Sequence, residues 1–541
     1  MDQPIQLQEP IEEFLRTVEE ESRKKQNKKQ PLESDSQEEV GQVAFWYEKI
    51  RMAIDYREEH LLRRTASRRI LKRLFLIEGR KKEIADLLLK ELIMGGYVKK
   101  SDLSQEKFTK INQVLEKYAF ALSLKHSTIL TAPDIGKETK RWLVTLASFE
   151  IEEILYPEPE RRALINAVYK LLAPRIDTGS RRITEKQKNL QTHIAIYRSL
   201  AKADRAMVVS EVFRIYFPDW FENPSIQRIK AIVANASQIT KITHNQATNM
   251  LASRIFYSIK KQTLFAYILY EIIMASPADA RGIIAQQYIL REFIKDKMNE
   301  EYLRTEKKLK KRITRGIIYV FLTKMLLAIL IEIPYETYFV GHFNYTALAI
   351  NILFPPLFMF FLANSARVPG NDNTEAVIDG INKLIYDDPQ KDEIKKIRVF
   401  PSYVSGLPQK ALDLVYFFSF SLVFGFFIAL LYFFKFDFVS GAIFIIFMGT
   451  VSFFGALIRQ SVRDLIVIKE KEGIGSLIFD TLLLPSVRFG RFLSTNFSRV
   501  NVFMFLLDVI IEAPFKMVIR LFESWVNFLK RKREEVDQQF G

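Results

Sequence analysis

Two hydrophobic patterns divide the chain near residue 311. Before it, apolar residues recur at helical spacing among dense charges; after it they gather into long runs. A bilayer core of ~30 Å takes about 20 residues of helix. Leu414–Phe434 and Phe438–Ile458 meet that length, 21 residues each, without a charge. Only Lys435, Phe436 and Asp437 separate them, so they must form an antiparallel hairpin. Gly316–Pro334 is a further candidate span, apolar apart from Thr323, Lys324 and Glu332. Tyr345–Ala363 is another, but Pro355-Pro356 near its middle removes two amide donors and predicts a kink or break, with a re-entrant dip as the alternative to a crossing.

The first 310 residues read as helices. Trp46, Ile50, Ile54 and Leu61 begin a helical pattern over 43–94 that Gly95-Gly96 ends. Further helices are expected at about 104–124, 137–155, 159–173, 183–216, 225–238 and 246–275, with Ser104 and Thr184 as N-caps and Pro277 as a stop. The segment 278–311 reads as a helical stem leading into the first span. No sustained alternation of apolar and polar residues is present, so almost no sheet is expected. Residues 1–39 are rich in Glu, Lys, Gln and Ser and read as a disordered tail, with at most one helical turn near Ile11–Val18. The fold class is therefore all-α. A helical cytoplasmic domain and stem over 40–310 precedes two membrane hairpins, 311–363 and 412–460, joined by a cytoplasmic loop over 364–411. An amphipathic, interfacial segment follows over 461–541.

Charge gives the orientation. Residues 1–310 hold 54 of the 79 Lys+Arg and 42 of the 63 Asp+Glu, and the whole chain carries +16. Basic flanks alternate with bare ones: Lys307–Arg315 is rich in cations, 335–344 has none, 364–413 has several, and the second hairpin's link has only Lys435. Positive flanks stay inside, which places both termini in the cytoplasm of a multi-pass protein of a plasma (inner) membrane. Residues 1–10 lack the basic and apolar regions of a cleavable signal.

The chain has no cysteine, which removes thiol nucleophiles, disulfides and cysteine metal sites. Its five histidines are scattered, and no HExxH spacing or phosphate loop occurs. Asp387-Asp388 and Asp392-Glu393 are interleaved with lysines and read as a solvated loop. No cofactor and no catalytic residue is expected.

Three features carry candidate chemistry. Lys324 lies about eight residues into a span, where an ammonium costs ~2.5–3.5 kcal/mol on insertion scales and needs a partner. Glu332, two turns along, and Asn351 in the next span are the available ones. Second, Arg57–Lys82 holds ten cations, among them Arg63, Arg64, Arg68, Arg69, Lys72 and Arg73, dense enough to contact anionic lipid headgroups or phosphate. The competing reading is a solvated helix whose charges pair with Glu150, Glu152 and Glu153. Nucleic acid is not expected as a partner, because no binding motif accompanies the charges. Third, Phe515, Val518, Ile519, Phe522 and Trp525 form an amphipathic stripe that ends in Lys530, Arg531, Lys532 and Arg533, a second headgroup contact.

These features predict an integral membrane protein that anchors a basic helical domain in a scaffold or interaction role, with a protein partner or a second copy. The alternative is an oligomeric transporter or channel with a polar site around Lys324 and Asn351. A lipid-modifying enzyme ranks last, for want of a nucleophile and base.

Overall fold

In the computed structural model, residues 7–27, 58–79, 83–124, 133–179, 183–341, 344–364, 369–386, 396–399, 409–463, 465–467 and 483–493 are described. The chain forms two compact units. One joins Met1–Asn299 to Asn371–Val404, and the other joins Glu300–Gly370 to Ser405–Gly541. Among the described residues nearly everything is helical. The strands β1 (Ile176–Asp177) and β2 (Ile397–Arg398) make one parallel pair, Ile176 opposite Ile397.

Apart from this short pair, the described residues of the first unit are helices and loops, and its helix caps follow the sequence. Ser104 accepts from the Lys107 amide at 3.3 Å, and Thr184 from that of Gln187 at 3.2 Å. The expected 183–216 helix is two, Glu185–Leu200 and Arg205–Tyr216. Lys202 takes φ 46° between them, and the Asp204 carboxylate accepts the Met207 amide at 2.9 Å, starting the second helix where apolar periodicity alone shows no break. The core centres on rings: Trp142, Phe213 and Trp220 pack edge to face, and Trp220 donates to the Tyr118 hydroxyl at 2.9 Å.

Two expectations are corrected here. Glu9–Asn27 is a helix and no disordered tail, packed along the helix Pro159–Leu172. Ile11, Phe14 and Leu15 are fully buried and Val18 almost so. A single stripe of four apolar residues is too sparse to raise the average hydrophobicity of that segment, yet it suffices once a neighbouring groove receives it. The 364–411 loop likewise contains a helix, Asn371–Tyr386, with Val377, Ile378, Ile381 and Ile385 buried. It packs on Lys260–Ala275, where the Phe265 ring lies so close to Gly380 that a Cβ there would sit 2.3 Å from it. Its i, i+1, i+4, i+8 pattern is amphipathic, and the charges around it concealed that.

Among the described residues, four helices are long and apolar enough to cross a membrane: Gln287–Phe339, which begins in the first unit, and Tyr345–Leu362, Tyr416–Phe433 and Phe438–Arg459 in the second. The stem and first span are one helix, as expected, although it starts at Gln287. The expected break at Pro355-Pro356 is absent, and helix runs through Tyr345–Asn364. The helix instead changes pitch around Pro334, with π-helical stretches at Ala328–Glu332 and Glu336–Val340. Large apolar side chains point outward, including Phe321, Leu330, Phe361, Phe417 and Phe426. Small residues permit the closest crossings: Gly449 of the fourth span meets Gly490 of a helix over 483–493 backbone to backbone.

Candidate functional site: a buried polar cluster in the second unit

The first span carries Lys324 and Glu332 on one face, eight residues apart, and the second span brings Asn351 against them. The Lys324 ammonium lies 2.7 Å from Glu332 Oε1, and Asn351 Nδ2 donates to Glu332 Oε2 at 2.8 Å. Asn351 Nδ2 also donates to the Ser440 carbonyl at 3.3 Å, which ties in the fourth span. The Phe447 ring faces the ammonium, its centroid 5.0 Å from Nζ. All three predicted residues are completely buried. An ammonium and a carboxylate this far from solvent persist only because each neutralises the other and the remaining lone pairs find donors. Of the two partners the sequence offered Lys324, Glu332 pairs with it, and Asn351 contacts Glu332 instead.

Sequence reasoning missed two neighbours. Glu336, one turn beyond Glu332, is 3% exposed and accepts the Asn344 amide at 3.1 Å. Its carboxyl faces that of Asp437 in the hairpin link. Asp437 Oδ1 in turn accepts the amides of Val439 and Ser440 at 2.9 and 3.1 Å, capping the fourth span. Glu336 sat in a segment read as a bare loop, and Asp437 in a link read only for its length. The usable signal was the spacing 332, 336 on the face that already held Lys324.

The basic segment in the first unit divides. Arg63 is turned inward, donating to Glu152 at 2.9 Å and pairing with Glu59 at 2.7 Å. Arg64 is 4% exposed and bonds Asp204. Both guanidiniums are thus committed to ion pairs within the unit, and for Arg63 the pairing with Glu152 is the one the competing reading named. Arg68, Arg69, Lys72 and Arg73 lie on the exposed side of the same stretch, Arg73 bridged to Glu78 and Glu91. Lys530, Arg531, Lys532 and Arg533, with the amphipathic stripe before them, lie outside the described residues.

Beside Arg63 and Arg64 is a cavity of about 470 Å³, also lined by Arg161, Arg162, His60 and Glu152. Burial, reinforced by the Arg161 charge, pushes the His60 imidazole down to about 4, so it is neutral at physiological pH. Burial pushes Glu152 up to about 7 against the pull of Arg63. Four arginines and four glutamates line the cavity.

No protein-family model, no curated protein and no solved structure matches this chain.

Proposed function

We propose that this is an integral membrane protein that holds a helical unit at the cytoplasmic face of the inner membrane and presents it to a protein partner or a second copy. The observation that carries the reading is the make-up of the first unit. Because Met1–Asn299 and Asn371–Val404 fold together, they occupy one side of any membrane, and the chain between them must cross an even number of times. The helices Gln287–Phe339 and Tyr345–Leu362 supply two crossings, and the second hairpin supplies two more. Outward-facing Phe and Leu side chains along these helices support the same reading. An apolar surface of that extent is costly in water and suited to lipid. The basic flanks favour a cytoplasmic position for the helical unit, and exposed Arg68 and Lys72 suit contact with anionic headgroups, each worth ~1 kcal/mol near the surface.

The cysteine-free chain allows a direct test. Single variants Lys110→Cys and Lys383→Cys should react with an impermeant maleimide from one side of the membrane, and Tyr338→Cys from the other. Labelling of Lys110→Cys and Lys383→Cys from opposite sides would overturn the topology. The interaction role is tested on detergent-solubilised protein: a monomer with no reproducible partner would remove it.

A second reading, a transporter or channel, is favoured by one observation. The polar groups of the membrane unit extend beyond a single neutralised pair, through buried Glu336 and half-buried Asp437.

A further inference from the structure

The cavity beside Arg63 and Arg64 lies wholly within the first unit. Its walls come from the helices Glu59–Lys72, Pro133–Leu155 and Pro159–Leu172, with Tyr197 and Met207 added by the two helices that follow. Its four arginines are not equally engaged. Arg63 bonds Glu59 and Glu152 and stacks on the Tyr156 ring, 3.9 Å from the centroid. Arg161 pairs with Glu158 at 3.1 Å, and Arg162 bonds Glu153. Arg64 has one partner for its whole guanidinium: Nη2 bonds Asp204, whose other oxygen is taken by the Met207 amide. Arg64 Nε and Nη1 are buried with no hydrogen-bond partner in the protein.

Glu152 shows the opposite want. Its Oε1 receives Arg63, whereas its Oε2 is buried without a donor. His60 Nε2 is buried and unbonded as well, and its imidazole, pushed down to about 4, brings hydrogen-bonding capacity without charge at physiological pH. Each buried polar group left unmet costs ~1–3 kcal/mol, and more when it is charged. The rest of the wall is apolar, through Phe149, Pro157, Pro159, Ile165, Ala201 and Met207.

Charge narrows the class of ligand. A lone anion would satisfy Arg64 but leave Glu152 unmet and stand among four carboxylates. A lone cation would do the reverse, among four guanidiniums. A molecule carrying both signs adds no net charge to a balanced wall and supplies an acceptor and a donor together. A volume of about 470 Å³ falls in the range of small-molecule sites.

We propose that the cavity is a binding site for a small zwitterion with an apolar body, of the class of the apolar α-amino acids. The ligand's carboxylate accepts from the Arg64 guanidinium, its ammonium donates to Glu152, and its side chain lies against Phe149, Ile165 and Met207. The inference stands on the first unit alone and holds whatever the second unit does.

The test is calorimetric titration of the full-length protein in detergent micelles with leucine, methionine and phenylalanine in turn. At least one should bind saturably with a Kd of about 1 mM or tighter. Its N-acetyl form, which lacks the ammonium, and its amide, which lacks the carboxylate, should each bind at least about tenfold more weakly. Glu152→Gln should weaken the amino acid by a similar factor. Met207→Trp, which fills the cavity from its apolar wall and leaves both charged groups in place, should abolish binding; circular dichroism confirms that each variant folds. The derivative series on wild type decides the matter should a variant fail to fold. Four results would overturn the proposal: no saturable binding of any of the three, derivatives that bind as well as the parent, a folded Met207→Trp with wild-type affinity, or tighter binding of phosphorylethanolamine. The last would assign the same pair of charges to a lipid headgroup.

Discussion

Replacing Lys324 by Met removes the counter-charge of a buried carboxylate and tests whether the ion pair holds the bundle together. Breaking a buried pair from one side costs about 3–5 kcal/mol, because the remaining charge is left in low dielectric. Glu332 would keep only the Asn351 amide, 2.8 Å away, so Lys324→Met should fall in that range. Glu332→Leu strands the ammonium instead, but against the Phe447 ring, whose face offsets up to about 2 kcal/mol when desolvated. A smaller loss of about 1–3 kcal/mol is expected. The double replacement removes both charges and leaves Asn351 Nδ2 with the Ser440 carbonyl; it should cost less than Lys324→Met alone, with a coupling of at least ~2 kcal/mol. Reversible unfolding in mixed micelles, followed by circular dichroism, measures all four proteins. Additive losses, or a double variant worse than both singles, would refute the claim that the two charges exist for each other.

Phe14→Ala should destabilise the first unit by about 3–5 kcal/mol, the cost of emptying a fully buried aromatic site, as read by chemical denaturation; a change below ~1 kcal/mol would restore the disordered tail. Gly380→Leu should clash with the Phe265 ring and raise protease sensitivity in the 371–386 helix, while Lys383→Ala, on the exposed side, should not. Three groups lining the 470 Å³ cavity set opposing pH dependences. His60, pushed down to about 4, contributes stability that is full above about 6.5 and lost as pH falls toward 4. Glu152 and Glu153, each pushed up to about 7 by burial, contribute stability that is full below about 4.5 and lost as pH rises toward 7. Melting temperatures across pH 4–7 should therefore fall with rising pH in wild type, fall more steeply in His60→Asn and vary little in Glu152→Gln, where Glu153 and His60 offset each other. Parallel profiles for all three would rule out both assignments.

Much of this architecture was legible in the sequence because the signals are local. A run of 21 uncharged apolar residues specifies a helix that lipid can surround, whatever its neighbours do. Ser104 and Thr184 cap helices through amides three residues away, and a lone cation in a span requires a counter-charge, which is why Lys324, Glu332 and Asn351 could be named together. Only the tertiary structure decided matters that depend on residues far apart. The stripe at Ile11, Phe14, Leu15 and Val18 becomes a structural helix only because Pro159–Leu172 offers it a groove. Arg63 and Arg64 look like surface cations until Glu152, 89 residues from Arg63, and Asp204, 140 residues from Arg64, turn them inward. Asp437 joins Glu336 across about a hundred residues because two turns meet at one end of the bundle. Spacing along one helix sets which side chains share a face, whereas the partner of a buried charge is set by the packing of helices that the chain order does not place side by side.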